Sequence, residues 1–254
     1  MEYAYVSSSV AIKTVSEDER NGVFEISGLF AGYGLTVGNA LRRALLSSLP
    51  GAAVTEIKVK NAPHEFSTIP GVKEDIVEIL LNFKKLRFRL HTDEPQVLAL
   101  KLKGERTVTA GDIKLNSDID LMNPDEVLAH CTAKDAELDI EVTVERGLGY
   151  VPVEARKVEG GRLSIGTIAI DAIFTPVQRV NYTIEDMRVG DRTDYNRLRL
   201  EITTDGTISP STALHKAANI LKDHFDKVSA VETKEFEPLG EKTTTAKKAK
   251  KTKK

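Results

Sequence analysis

The sequence predicts an α+β fold, in which a discontinuous domain of antiparallel sheet and two amphipathic helices is interrupted by an inserted β-rich domain. Three observations predict it. Helical apolar stripes stand near the two ends of the foldable region, at residues 36–50 and 210–231. Strand-like segments flank both. Between them runs a block of about 120 residues whose pattern alternates or is β-branched, with a second short helix near its start. The boundaries that follow are residues 1–50 and 172–232 for the split domain and 51–171 for the insert.

In chain order, Tyr3 to Ile12 and Val23 to Ser27 read as short strands around the charged turn SEDERNG. Gly28 to Leu35, GLFAGYGL, reads as a loop, because glycine permits positive φ and close backbone approach. The helix TVGNALRRALLSSLP follows, with Thr36 as its expected N-cap and Pro50-Gly51 as its stop. On it Val37, Leu41, Ala44, Leu45 and Ser48 share one face, and Asn39, Arg43 and Leu46 the opposite one, with Arg42 on the flank. A monomer's surface helix carries solvated polar groups on its outer face. Arginine beside leucine there reads instead as a docking face.

Ala52 to Lys60 alternates as a strand, and NAPHEFSTIPG is a loop. Val72, Ile76, Ile79, Leu80 and Phe83 recur at helical spacing, which places a second helix at about Lys73 to Lys85. Arg87 to His91, Val97 to Lys103, Val127 to Cys131 and Glu137 to Glu145 read as strands, and RGLGYVP closes the run with two glycines. Pro176 to Arg188 and Asp194 to Thr203 are expected to pair antiparallel. Ser209-Pro210 then opens the longest helix, Pro210 to Val231, whose stripe is Leu214, Ala217, Ala218, Leu221, Phe225 and Val228. After Glu232 the composition has little to bury and predicts a disordered tail at residues 233–254.

Composition narrows the class. With 41% hydrophobic and 29% charged residues over 254 positions, the chain is an ordinary globular one that can bury a core. No apolar run reaches the roughly 18 residues of a membrane span, and the N-terminus lacks a basic start and an apolar core segment, so no secretion is expected. Cys131 is the single cysteine, which excludes an internal disulfide and fits a cytoplasmic protein. The last fourteen residues hold seven lysines and one glutamate, a local +6, so the other 240 carry −8 of the net −2. An acidic body argues against a broad DNA-binding face. The terminal Lys247, Lys248, Lys250, Lys251, Lys253 and Lys254 are candidates for neutralising phosphates, although such runs also serve as solubilising ends.

No catalytic constellation stands out. Gly32, Gly34 and Gly38 before a helix suggest a phosphate cradle, but the spacing is one residue too long for the dinucleotide fingerprint and no P-loop lysine follows, which favours tight-turn geometry. Histidines 64, 91, 130, 215 and 224 are scattered, and adjacent His130 and Cys131 on a strand point to opposite faces, so no metal is expected. Glu74, Asp75 and Glu78 suit the start of a helix better than acid–base work. Arg192, Arg197 and Arg199 read as a solvated or salt-bridged edge.

The segments GYGLTVGNALRRALLSSLPGAAVTEIKVK and HEFSTIPGVKEDIVEILLNFKKL, with RGLGYVP, DAIFTPVQRVNY and TTDGTISPSTALHKAANIL, resemble the N-terminal assembly region of the bacterial RNA polymerase α subunit. The likeness is collinear from about Val23 to Val231, and the family's LGNALRR signature is carried with Val37 in the leucine position. The resemblance implies a non-catalytic homodimer that holds the large β and β′ subunits, joined by ω and σ in the assembled nucleotidyltransferase. Dimerisation would involve Val37, Leu41, Ala44, Leu45, Leu214, Ala217, Leu221 and Phe225. Large-subunit contact would fall on Arg43, Leu46, His64, Glu65, Phe66, Ser67, Lys84 and Phe174, Thr175, Pro176, Val177, Gln178, Arg179. No cofactor is implied for this chain, because Mg²⁺ and zinc belong to other subunits, and DNA is met through the assembled enzyme. Most members continue into a small DNA-binding domain. The stop at Lys254 implies that promoter contact by that domain is absent.

Overall fold

The structure, a computed structural model, describes residues 10–60, 62, 64–160 and 166–232. The chain opens with β1 (Ala11–Glu17), β2 (Asn21–Leu29) and α1 (Tyr33–Ser47). It leaves for a long excursion through β3 (Pro50–Val59), α2 (Ile76–Lys84), β4 (Phe88–Leu90), β5 (Gln96–Lys103) and β6 (Arg106–Thr109). The excursion continues with β7 (Ile119–Leu121), β8 (Val127–Cys131), β9 (Glu137–Leu148), β10 (Tyr150–Val151), α3 (Val153–Gly160), β11 (Thr167–Ala169) and β12 (Ala172–Ile173). The chain returns with β13 (Val177–Val189), β14 (Arg192–Thr204) and α4 (Pro210–Ser229). No described helix is long and apolar enough to cross a membrane. The fold is α+β with antiparallel sheets, as the sequence predicts.

The first lobe is a sheet in the order β1-β2-β14-β13, with α1 and α4 on one face. Strand alternation assigns the faces. Phe24, Ile26, Leu198, Leu200 and Ile202 turn toward the helices and form a core with Leu41, Leu45, Val180, Ala213 and Ala217. The other face carries charge. Arg197 pairs with Glu25 and Glu185 on the flanking strands, and Arg199 with Glu201. These arginines are salt-bridged but do not mark an edge, because β14 lies inside the sheet. The expected strand and turn at the start also shift. β1 runs on through Ser16 and Glu17, past a bulge after Thr14, and Asp18 caps the turn by accepting from the Arg20 and Asn21 N–H groups. The N-terminal part of the strand expected at Tyr3–Ile12, and the lysine-rich tail, lie outside the described residues.

The second lobe has a sheet in the order β5-β9-β3-β4-β7, with β11 added against β3 and α2 packed between β3 and β8. Its core, from Val54 to Ile170 in sequence, is separate from the first and includes Ile57, Ile76, Ile79, Phe83, Leu100, Leu128 and Ile140. α2 starts later than the periodicity predicts. Asp75 is its cap, accepting from the Glu78 N–H at 2.7 Å, so the helix begins at Ile76 and leaves Lys73 and Glu74 outside it. α3, which the pattern does not announce, follows Pro152 and is tied down from outside. The Val153 N–H donates to Asp171, and Arg156 reaches the carbonyls of Thr55 and Ile170.

α1 also differs from its sequence reading. It begins at Tyr33 rather than Thr36, with Gly32 at φ 84° as the residue before its first turn. The cap comes from the sheet: Asn196 Oδ1 accepts from the Gly32 N–H at 2.9 Å and from the Gly34 N–H at 3.4 Å. Gly34 and Gly38 lie inside the helix, where a Cβ would stand 2.9 Å from Asn196 Cβ and 3.0 Å from Leu198 Cδ1 respectively. Only Gly32 serves the turn. The other two let α1 lie close on β13 and β14.

The lobes join where α1 runs into β3 and where β12 runs into β13. Gly51 is not merely a stop. It is the second residue of β3, and a Cβ on it would be driven into the Phe174 carbonyl oxygen. Two arginines before and within β4 hold the turn that precedes α4. Arg89 Nε donates to the Thr207 carbonyl at 2.9 Å, and Arg87 Nε lies 3.9 Å from the buried Asp205 carboxylate.

Candidate assembly surfaces

The stripe on α4 divides in two. Ser209 caps the helix by accepting from the Thr212 N–H, and Glu17 accepts from the Ser211 N–H, so the N-terminal half is fixed to the sheet. Pro210, Ala213, Leu214 and Ala217 are buried there. Leu221 is half-buried, and from Lys222 onward every described residue is exposed. The heptad spacing nevertheless continues: Phe225 is 65% exposed and Val228 68%. Ile12 on β1 and Leu35 on α1 are open as well. The helix thus carries an uncovered aromatic and aliphatics at core spacing, not only solvated polar groups.

The expected dimer set divides between the lobe's own core and its surface. Leu45 is 0% exposed within the single chain, and Leu41, Ala44, Leu214 and Ala217 are buried with it in the lobe's own core. They shape the helices and keep little exposed surface of their own. Val37 and Leu221 are half-buried, which leaves Phe225 as the open member of the set.

The expected docking residues also divide. Arg42 and Arg43 are exposed on α1 and make no ion pair among the described residues, while Leu46 is half-buried against the lobe core. Phe174, Pro176 and Val177 are buried within the single chain; Thr175 is half-buried, and Gln178 and Arg179 are exposed. The resemblance supplied the segment, but the way the connection from β12 into β13 packs decides which of its side chains turn inward. Lys84 lies 3.5 Å from Asp171 and 6.0 Å from the centre of the Tyr150 ring. The Val153 N–H above all, then the Tyr150 hydroxyl and Lys84, hold the Asp171 carboxyl below its ordinary range against the opposing effect of burial.

Pairing of β10 with β12 sets Tyr150 opposite Ile173, and the Phe174 N–H donates to the Gly149 carbonyl at 2.8 Å. Lys84 and the segment after Phe174 are thereby brought together. The turn His64–Ser67, braced by a 3.1 Å contact between Ser67 Oγ and His64 Nδ1, stands apart at the other end of α2. Along that helix, the nine residues from Ile76 to Lys84 span eight steps, about 12 Å of rise. Phe66 there is 77% exposed. Sequence reading missed Asp171 and Tyr150, because neither carries a periodic or motif signal for its role.

Comparison with known proteins decides the family. The DNA-directed RNA polymerase subunit alpha of Symbiobacterium thermophilum is 50% identical over 217 residues, which cover 85% of this chain and 68% of that protein. The subunit alpha of Carboxydothermus hydrogenoformans is 50% identical over 214 residues, 84% of this chain and 67% of that protein. The chain belongs to the bacterial RNA polymerase α-subunit family. A family model described as the RNA polymerase Rpb3/RpoA insert domain matches residues 56–175, which cover most of the second lobe. The chain thus spans about two thirds of the length of these α subunits.

The reactive groups of this α-family chain are engaged structurally. Glu74, 7% exposed, accepts from the His130 N–H at 2.7 Å and lies 2.5 Å from the His130 ring. Burial pushes its carboxyl up, but the ring and backbone bonds to His130 outweigh this and leave it below the ordinary value. Burial raises the Cys131 thiol, nearby Glu74 adds to the effect, and Arg106 only partly opposes it, so the sulfur stays protonated and unactivated at neutral pH. Among the described residues no three His, Cys, Asp or Glu side chains converge as metal ligands do. The glycine loop holds no free phosphate cradle, since its first N–H groups already donate to Asn196.

Proposed function

We propose that the chain is a non-catalytic assembly subunit of a DNA-directed RNA polymerase, which homodimerises and scaffolds the β and β′ subunits for transcription. The observation that carries this reading is the outer half of α4. A core-spaced apolar stripe leaves its own domain at Leu221 and continues uncovered through Phe225 and Val228. A second copy related by a twofold axis would present the same stripe and bury both. Burial of each large side chain is worth about 1.5–3 kcal/mol.

In this reading residues 1–50 and 172–232 form the dimerisation domain, and 51–171 form the inserted domain. Arg43, Leu46, His64 to Ser67, Lys84, Thr175, Gln178 and Arg179 face the large subunits. Asymmetry follows from the partners: one copy touches chiefly β and the other β′. Phosphoryl transfer and its metal ions lie on other subunits, and the chain supplies position rather than chemistry. The relatives are named as polymerase α subunits, which supports the same role.

Capture of the tagged chain from its own cells tests the proposal. Two very large partners should be recovered in stoichiometric amount, and Arg43→Ala should lower their yield while the dimer persists. Recovery of a dimer without large partners would refute the scaffold role.

A further inference from the structure

Where the two lobes meet, the chain leaves a cleft of about 470 Å³ that neither assembly surface uses. Strands β3, β4 and β9 of the second lobe line one side, and the start of α4 lines the other. Ala52 of β3 pairs with Phe88 on one flank and with Arg146 on the other, so the ladder sets Arg89 and Arg146 on the strands either side of β3. From the first lobe Lys216 completes a set of three cations, with Ser209 and Thr212 beside it.

No carboxylate lines this cleft, although the body of the chain is acidic as a whole. Nor are the three charges neutralised inside it. Arg89 is held by the carbonyls of Thr207 and Gly206, which fix the guanidinium without cancelling its charge. Arg146 pairs with Asp93, which does not line the cleft and whose side chain is 86% exposed; an ion pair so open to water is weak and readily exchanged. Lys216 makes no ion pair among the described residues. The first amides of α4 take no part, because the Ser211 N–H donates to Glu17 and the Thr212 N–H to Ser209 Oγ. The site therefore rests on side chains from both lobes.

Their chemistry selects the ligand. Guanidinium forks, an ammonium and hydroxyls are the donors that phosphate oxygens take. The volume is far more than one phosphate fills and lies within the range of small-molecule sites. Half-buried Leu90 and Ile208 add apolar surface for an organic group. We infer that this interlobe cleft binds a small organic polyphosphate, with Arg89, Arg146 and Lys216 on its phosphates. A ligand held from both sides also ties the lobes together. The inference goes beyond the assembly reading and does not depend on it.

Calorimetric titration of the purified chain with ATP as the probe, without large subunits, tests the site. ATP should bind, raise the melting midpoint and weaken severalfold as salt is raised. Arg146→Gln combined with Lys216→Ala changes two exposed side chains, and should weaken ATP at least tenfold while the ligand-free melting midpoint stays unchanged. Amide NMR shifts of the unaltered chain need no variant: those caused by ATP should centre on Arg89, Arg146 and residues 209–216. Absence of ATP binding, shifts centred elsewhere, or unaltered affinity in the double variant overturns the site and leaves the scaffold role standing. A short single-stranded oligonucleotide is the second arm. If it binds more tightly than ATP and is lost in the same double variant, the phosphates belong to a nucleic-acid backbone and the small-molecule ligand is overturned.

Discussion

Replacing Asn196 by alanine removes the acceptor that starts α1. The residue is 8% exposed, and its Oδ1 takes two N–H groups of the first turn, from Gly32 and Gly34. Loss of a cap costs about 1 kcal/mol, and a buried N–H left without a partner costs about 1–3 kcal/mol. Gly32 is exposed and recovers a water partner, whereas Gly34 is buried and does not. Asp186, which accepts from Asn196 Nδ2 at 3.1 Å, is exposed and is resolvated. The total is about 2 kcal/mol, which for a chain of this size lowers the melting midpoint by about 4–8 °C. Calorimetry gives the midpoint, and hydrogen exchange localises the loss: amides from Gly32 to Thr36 should lose protection while those of α2 keep theirs. A midpoint within 1 °C of the unaltered chain, with unchanged exchange at Gly34, would refute the tertiary cap.

Two further outcomes follow from buried contacts. The folded-state value of Glu74 lies below its ordinary 4.5. Its bonds to His130 therefore stabilise the fold above that pH and lose effect as pH falls through the lower folded value. Glu74→Gln should flatten the acid limb of the melting profile below about pH 4.5 and cost about 1–3 kcal/mol at pH 7; an unchanged acid limb would contradict the pairing. Gly51→Ala should destabilise by more than the 1–3 kcal/mol usual for overpacking, because the obstacle is the Phe174 backbone rather than a side chain that can turn aside. Urea unfolding reads the loss, and a cost below 0.5 kcal/mol would sink the close-approach argument.

The sequence shows most clearly what is local. α4 was legible because its cap, Ser209-Pro210, and its stripe lie in one continuous segment, and the β13–β14 pair because two alternating runs flank one short turn. α1 was legible in its faces but not in its start, because the capping side chain lies 164 residues away. α3 was invisible for the same reason, being held by Asp171 and by carbonyls of other strands. Periodicity found the apolar face of α1 but could not say whether the covering surface belonged to the chain's own sheet or to a twin. The sheet covers it, whereas the outer part of α4 lies uncovered. Similarly, the segment from Phe174 to Arg179 was found by resemblance, yet packing of the connection between β12 and β13 buries three of its six residues.

The central claim is that the exposed stripe of α4 makes this chain a dimer on which a polymerase is built, and its solution mass tests this most directly. Light scattering of the purified chain should give twice 27.9 kDa, and Phe225→Asp should give a single 27.9 kDa chain with an unchanged circular dichroism spectrum and no capture of the large subunits. A monomeric unaltered chain, or a Phe225→Asp variant that remains dimeric, would contradict the account.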